Sequence, residues 1–181
     1  MALKFPQRWP WSPLPEPPDA RSFAPASILL ASEGRRIPAT AVEFTLHLAR
    51  KTKAPVHVLS IARIWGSAFG LPHPGLMPTK REWQLQPESA AEAVDRLLRC
   101  GIEATGQVVS SRNAAKRILA EAGRRRPEAI VMAAPHRSTG SSPIFSWDQE
   151  PYRVRRHAES PVYLVIVGQP KAPQRVKPSA A

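Results

Sequence analysis

Glu128-Ala129-Ile130-Val131-Met132-Ala133-Ala134-Pro135-His136-Arg137-Ser138-Thr139-Gly140-Ser141-Ser142-Pro143 is followed, after a short basic segment, by Val162-Tyr163-Leu164-Val165-Ile166-Val167. The order reads as a buried strand, a Ser/Gly-rich loop, a helix around Gln149 to Ala158 and a final apolar strand. A loop at the C-terminal end of a strand is where an α/β sheet holds an anion. This one has the hydroxyls for that task, with Gly140 as its single glycine. How well it would cradle a phosphate is the question the stretch poses.

Working outward, the same alternation recurs. Ser27-Ile28-Leu29-Leu30-Ala31-Ser32 is a continuous apolar run that stops at Glu33-Gly34, as a buried strand before a sharp turn does. Pro38 suits a first helical turn, and Ala41, Val42, Thr45, Leu46 and Ala49 recur at helical spacing. Pro55 to Ala62 is a second strand. Gly66 to Pro87 is a Gly/Pro-rich connection containing Phe69, Leu71, Met77 and Trp83, with Trp65 just before it. Ser89 is placed to cap a second helix with Ala90, Ala91, Val94, Leu97 and Leu98 on one face, closing at Cys100-Gly101. Ile102 to Val109 alternates like a strand near a sheet edge, and Ser111 or Asn113 can cap a third helix that Gly123 ends. The order βαβαβαβαβ predicts a five-stranded parallel sheet in an open, Rossmann-like α/β/α sandwich with right-handed crossovers.

The remainder is terminal. Residues 1–25 hold seven of the 21 prolines together with Phe5, Trp9, Trp11, Leu14 and Phe23, and residues 168–181 are basic and proline-containing. Both read as tails flanking a domain at residues 26–167. The aromatic anchors of the first tail suit docking, on its own domain or on a protein partner. No apolar run approaches the roughly 18 residues of a membrane span, and prolines interrupt any signal peptide. A cytoplasmic protein is expected. Cys100 alone forms no internal disulfide, and no Cys/His spacing supports a metal site.

A net charge of +12 invites a nucleic-acid reading. Its distribution argues against one, because part lies in the tail and several clusters, Arg50 to Lys53 and Arg124 to Arg126 among them, suit helix C-termini. No nucleophile, base and orienting carboxylate are placed together by sequence, so His136 has no triad and no catalytic residue is assigned. His47, His57 and His157 read as structural. Val162 to Val167, as the last strand, offers an edge through which a second copy could pair.

Glu33-Gly34 after the first strand, Gly101-Ile102-Glu103-Ala104 entering the third, Ala129 to Ala133 in the fourth and Arg156-His157-Ala158-Glu159-Ser160-Pro161-Val162 before the fifth together resemble the universal stress protein family. The resemblance spans about residues 26 to 167. It implies an ATP site formed by Glu33, Val58, Ala133, His136, Arg137, Ser138, Thr139 and Gly140, and a homodimer through Val162, Tyr163, Leu164, Val165 and Ile166. Nucleotide-binding members carry Gly-x-x-Gly, and later Gly followed by Ser or Thr, so that backbone N–H groups close on phosphates. Here the first two glycine positions fall on Ala133 and His136, and the third on Ser146-Trp147 or Asp148 by the two possible registers. The expectation is therefore a non-enzymatic, homodimeric, partner-binding regulator with weak or no ATP binding. The alternatives are an ATP-binding regulator with at most slow hydrolysis, and an adaptor anchored to an assembly by its N-terminal tail.

Overall fold

The computed structural model describes residues 16–63, 80–135 and 149–167, with the side chains of residues 80–83 left aside. Its elements are β1 (Ile28–Ser32), α1 (Ala39–Arg50), β2 (Val56–Arg63), α2 (Lys80–Arg99), β3 (Ala104–Ser111), α3 (Ala114–Arg125), β4 (Ala129–Pro135), α4 (Glu150–His157) and β5 (Val162–Val167). The strands form one parallel sheet in the order β3-β2-β1-β4-β5. The expected five-stranded α/β sheet is thus present. The chain steps outward from β1 to β2 and β3, then returns to β4 on the other side of β1. That makes the β1/β4 boundary the switch point, where open α/β sheets take ligands.

Burial on both faces explains the uninterrupted apolar runs. Ile28, Leu30, Val56, Val58 and Val131 meet Leu46, Leu48 and Leu97 of α1 and α2 on one face. Leu29, Leu59, Ile61, Ile130 and Met132 meet Ile118 of α3 and Val154 of α4 on the other. All five helical positions picked from the periodicity of α1 are buried. Asn113 caps α3, accepting from the Lys116 backbone N–H at 2.9 Å.

Several boundaries differ from the sequence expectation. Helix α2 begins at Lys80 and carries Pro87 inside it, so Ser89 is not its cap. Pro87 is the eighth residue of the helix, past the four N-terminal N–H groups that lack intrahelical acceptors, so the helix continues through it with one bond of its i→i−4 ladder missing. Ser89 instead accepts the Ile37 backbone N–H through its Oγ at 2.8 Å. Helix α3 runs past Gly123 to Arg125 and ends on Arg126 in the left-handed region, φ 50°. Cys100 is exposed. Gly101, at φ 75°, closes α2 as its position suggested.

The end of the leader packs on the domain. Phe23 tilts against Tyr163 with ring centroids 6.2 Å apart, and Tyr163 donates its hydroxyl to the Pro18 carbonyl at 2.9 Å. Thr52 donates to the Pro25 carbonyl at 2.6 Å, and Lys51 donates to the carbonyls of Ala20 and Arg21. Residues 18–25 therefore form a strap across the end of α1 and the start of β5.

Candidate functional site

The C-terminal ends of β1, β2 and β4 meet at the switch point, and the turn after β1 is the best-built part of it. Glu33 follows the last residue of β1, and Gly34 turns the chain with φ 111°, a conformation L side chains rarely adopt. A Cβ on Gly34 would lie 2.9 Å from Cγ of Arg63 and 3.1 Å from the Ile61 carbonyl oxygen. Glycine is required twice over, for the backbone and for the arginine that crosses it.

That arginine, at the end of β2, donates from Nε to the Glu33 carbonyl at 2.6 Å. Arg35 donates from Nε to the Glu33 carboxylate at 2.7 Å. The carboxyl is buried, 3% exposed. Burial pushes its pKa above the ordinary carboxylate value, and its own backbone N–H, Arg35 and Arg63 pull in the opposite direction. From α2, Gln86 donates to the Gly34 carbonyl at 2.8 Å and accepts from the Ser60 hydroxyl at 2.6 Å. Ser32 donates to the Arg35 carbonyl. Both carbonyls of the turn and the carboxylate beside them are thus engaged from within the protein.

The other positions expected at the site separate. Ala133 is half-buried near the end of β4, one residue past the last β1 pairing of Ala31 with Met132, so it does border the switch point. Val58 does not. It is fully buried in the middle of β2 among core side chains, level with Leu30 and Gly106. His136, Arg137, Ser138, Thr139 and Gly140 lie outside the described residues, as do Trp65, Ser146, Trp147 and Asp148. Below that stretch, Tyr152 of α4 donates its hydroxyl to the Pro135 carbonyl at 2.9 Å and fixes the exit of β4.

Of the residues expected at a pairing edge, Val162 and Tyr163 are buried in the chain's own core, and Leu164 and Val165 are half-buried. Ile166 is 49% exposed. His47 and His157 are exposed, while His57 is half-buried and sits 2.9 Å from the Thr105 hydroxyl. Among the described residues no group of His, Cys, Asp or Glu could hold a metal ion, and no helix is long and apolar enough to cross a membrane.

Sequence reasoning missed Arg35, Arg63 and Gln86 as parts of the turn. Gln86 and Ser89 are spaced to share one face of a helix, a signal masked by reading Pro87 as a boundary. As a ligand site the arrangement is only half prepared. Acid, turn and switch point are in place, yet the acid's lone pairs and the turn's carbonyls already have donors.

The universal stress protein family matches residues 26–165. No curated protein sequence matches the chain. Among solved structures, a universal stress family protein from Burkholderia pseudomallei is similar over 77% of this chain and 96% of its own, at 21% identity and TM-score 0.56. The universal stress protein from Archaeoglobus fulgidus in complex with dAMP is similar over 76% of this chain and 95% of its own, at 18% identity and TM-score 0.54. An Arabidopsis thaliana family protein with AMP bound is similar over 82% and 97%, at 15% identity and TM-score 0.52. These likenesses show a shared fold, and the family match covers most of the chain. The protein belongs to the universal stress protein family.

Proposed function

We propose that the protein is a non-enzymatic, cytoplasmic regulator that acts by binding partners, works as a homodimer through the β5 edge, and binds ATP weakly or not at all. One observation carries the nucleotide part of this reading. The Glu33 carboxylate is held by Arg35 and its carbonyl by Arg63, so a nucleotide reaching this acid would have to displace an internal ion pair. Displacement leaves a buried charge to be repaired, which costs affinity. Ala133, where phosphate-binding members carry glycine, supports the same conclusion.

The ligand to test is an adenine nucleotide, because relatives of this fold carry dAMP and AMP. Isothermal titration of the full chain with ATP and Mg²⁺, and separately with AMP, is expected to show no saturable binding in the micromolar range. Micromolar binding would overturn the weak-site reading. It would favour the alternative, an adenine-nucleotide-binding regulator with at most slow hydrolysis, for which the half-exposed Ala133 at the switch point is the supporting observation. Residues 18–25 are attached to the end of α1 and to β5, while Phe5, Trp9, Trp11 and Leu14, the aromatic and apolar anchors of the adaptor alternative, lie outside the described residues.

A further inference from the structure

The sheet has a second edge, and it is the less protected one. β3 is eight residues long and contains neither a charge nor a proline. Natural edge strands are ordinarily blunted by lysine, proline, bulges or brevity. β3 pairs with β2 in unbroken register from Val56↔Ala104 to Arg63↔Ser111, so its outward N–H and C=O groups stand in a regular row. Thr105, Gly106 and Ser110 along it are exposed. The chemistry that satisfies such a row is another extended chain.

The two flanks of this edge differ in character. On the α2 side, Val94 lies against Gly106, 3.0 Å from where a Cβ would stand, and Leu98 follows one helical turn later, 52% exposed. The arginines of that side are paired, Arg96 with Glu43 and Arg99 with Asp95. On the α3 side, Arg124 and Arg125 share a single carboxylate, the buried Glu121. Glu121 lies 4.0 Å from Nε2 of His57, whose other ring nitrogen meets Thr105 of β3. Arg117 stands one turn before Glu121 on α3. Among the described residues, Nε of Arg117 and Nε2 of His57 are both buried without a hydrogen-bond acceptor. One flank is apolar, and the other has more cationic donors than carboxylates.

We propose that the β3 edge receives an extended segment of a partner protein, added as a further strand, whose residues alternate between carboxylate and apolar side chains. Alternation places successive side chains on opposite faces of the sheet. The carboxylates then meet Arg117, Arg124 and Arg125, and the apolar side chains cover Val94 and Leu98. This goes beyond the partner-binding reading by naming the surface and the partner's pattern, and it is independent of the β5 dimer and of the nucleotide.

The test uses the full chain and a short capped peptide of alternating Glu and Val, followed by amide hydrogen exchange. Expected is about ten-fold slower exchange at amides within Ala104–Ser111, with β5 unchanged, and weaker binding at higher salt. Arg117→Glu should weaken binding about ten-fold. Arg124→Glu, at a side chain 63% exposed, should act in the same direction should Arg117→Glu fail to fold. Equal binding by a Lys/Val peptide overturns the proposal, as does protection confined to β5 or no protection at millimolar peptide. Binding of a single-stranded RNA oligonucleotide with the same arginine dependence, in place of the peptide, reassigns the face and overturns it too. A chain that still dimerises through β5 while β3 stays unprotected leaves the dimer reading standing and removes this one alone.

Discussion

The two edges of the sheet are both single strands facing outward, yet they are finished in opposite ways. β5 is six residues long and its first two side chains are sunk in the core, with Tyr163 clasped by Phe23, Phe44 and the Pro18 carbonyl. β3 is longer and its sequence, Ala104 to Ser111, is small and polar with only Val108 and Val109 apolar beyond alanine. One edge is secured by side chains from distant parts of the chain. The other is held almost entirely by its ladder with β2 and by the helices beside it. An edge anchored by side chains tolerates little change in them, whereas an edge held by its backbone can accept another backbone.

Truncating Tyr163 to alanine should break the comparison most strongly. Removing a buried aromatic side chain and leaving a cavity costs about 4 kcal/mol, and it also releases the strap. Chemical denaturation should show that loss, while hydrogen exchange should quicken at β5 and leave β3 unaffected. Uniform acceleration across both edges would show that the strap stabilises the whole sheet rather than one side.

Glu121→Gln addresses the β3 side. Burial raises the pKa of Glu121, but its bonds to Arg124 and Arg125 outweigh that and hold it below the ordinary value of 4.5. A carboxyl depressed in the folded state stabilises the protein above its ordinary pKa and loses that contribution as pH falls through the folded value. His57 is also depressed, from 6.5, by burial and Arg125, against an opposing pull from Glu121, with Thr105 and Gln107 as its neighbours on β3. Its proton is disfavoured in the fold, so its contribution is lost as pH falls below about 6.5. Stability should therefore decline from neutral to acid pH in two stages, His57 first. Glu121→Gln should cost about 2 kcal/mol at neutral pH, since charged hydrogen bonds are lost, and should flatten the lower stage. Thermal melts from pH 7 to pH 3 provide the measurement.

Tyr163→Phe is the smallest and sharpest change. It keeps the ring and removes only the hydrogen bond to Pro18, for an expected loss of about 1 kcal/mol. Proteolysis within residues 18–25 should accelerate, while global stability falls by no more than that amount. A loss as large as that of the alanine variant would place the strap's hold in the hydroxyl instead of the ring.

The scaffold was legible in the sequence because parallel strands buried on both faces announce themselves as unbroken apolar runs, as Ile28 to Ala31 and Ala129 to Ala134 do. Asn113 was legible as a cap for an equally local reason. The finish of the site was not. The crossing of Gly34 by Arg63, the pairing of Arg35 with Glu33 and the bond from Ser89 to Ile37 join residues of different elements, and no periodicity marks them. Val58, a position that only the resemblance singles out, lies in mid-strand, level with Leu30 and buried.

The bond from Tyr163 to Pro18 spans 145 residues of sequence. A ribosome adds residues at about 5 to 20 per second, so on the order of ten seconds separates the emergence of the strap from that of the strand it must grip. During that interval the bonds from Lys51 and Thr52 at the end of α1 can form, and the one from Tyr163 cannot. The strap is half attached until β5 has been made.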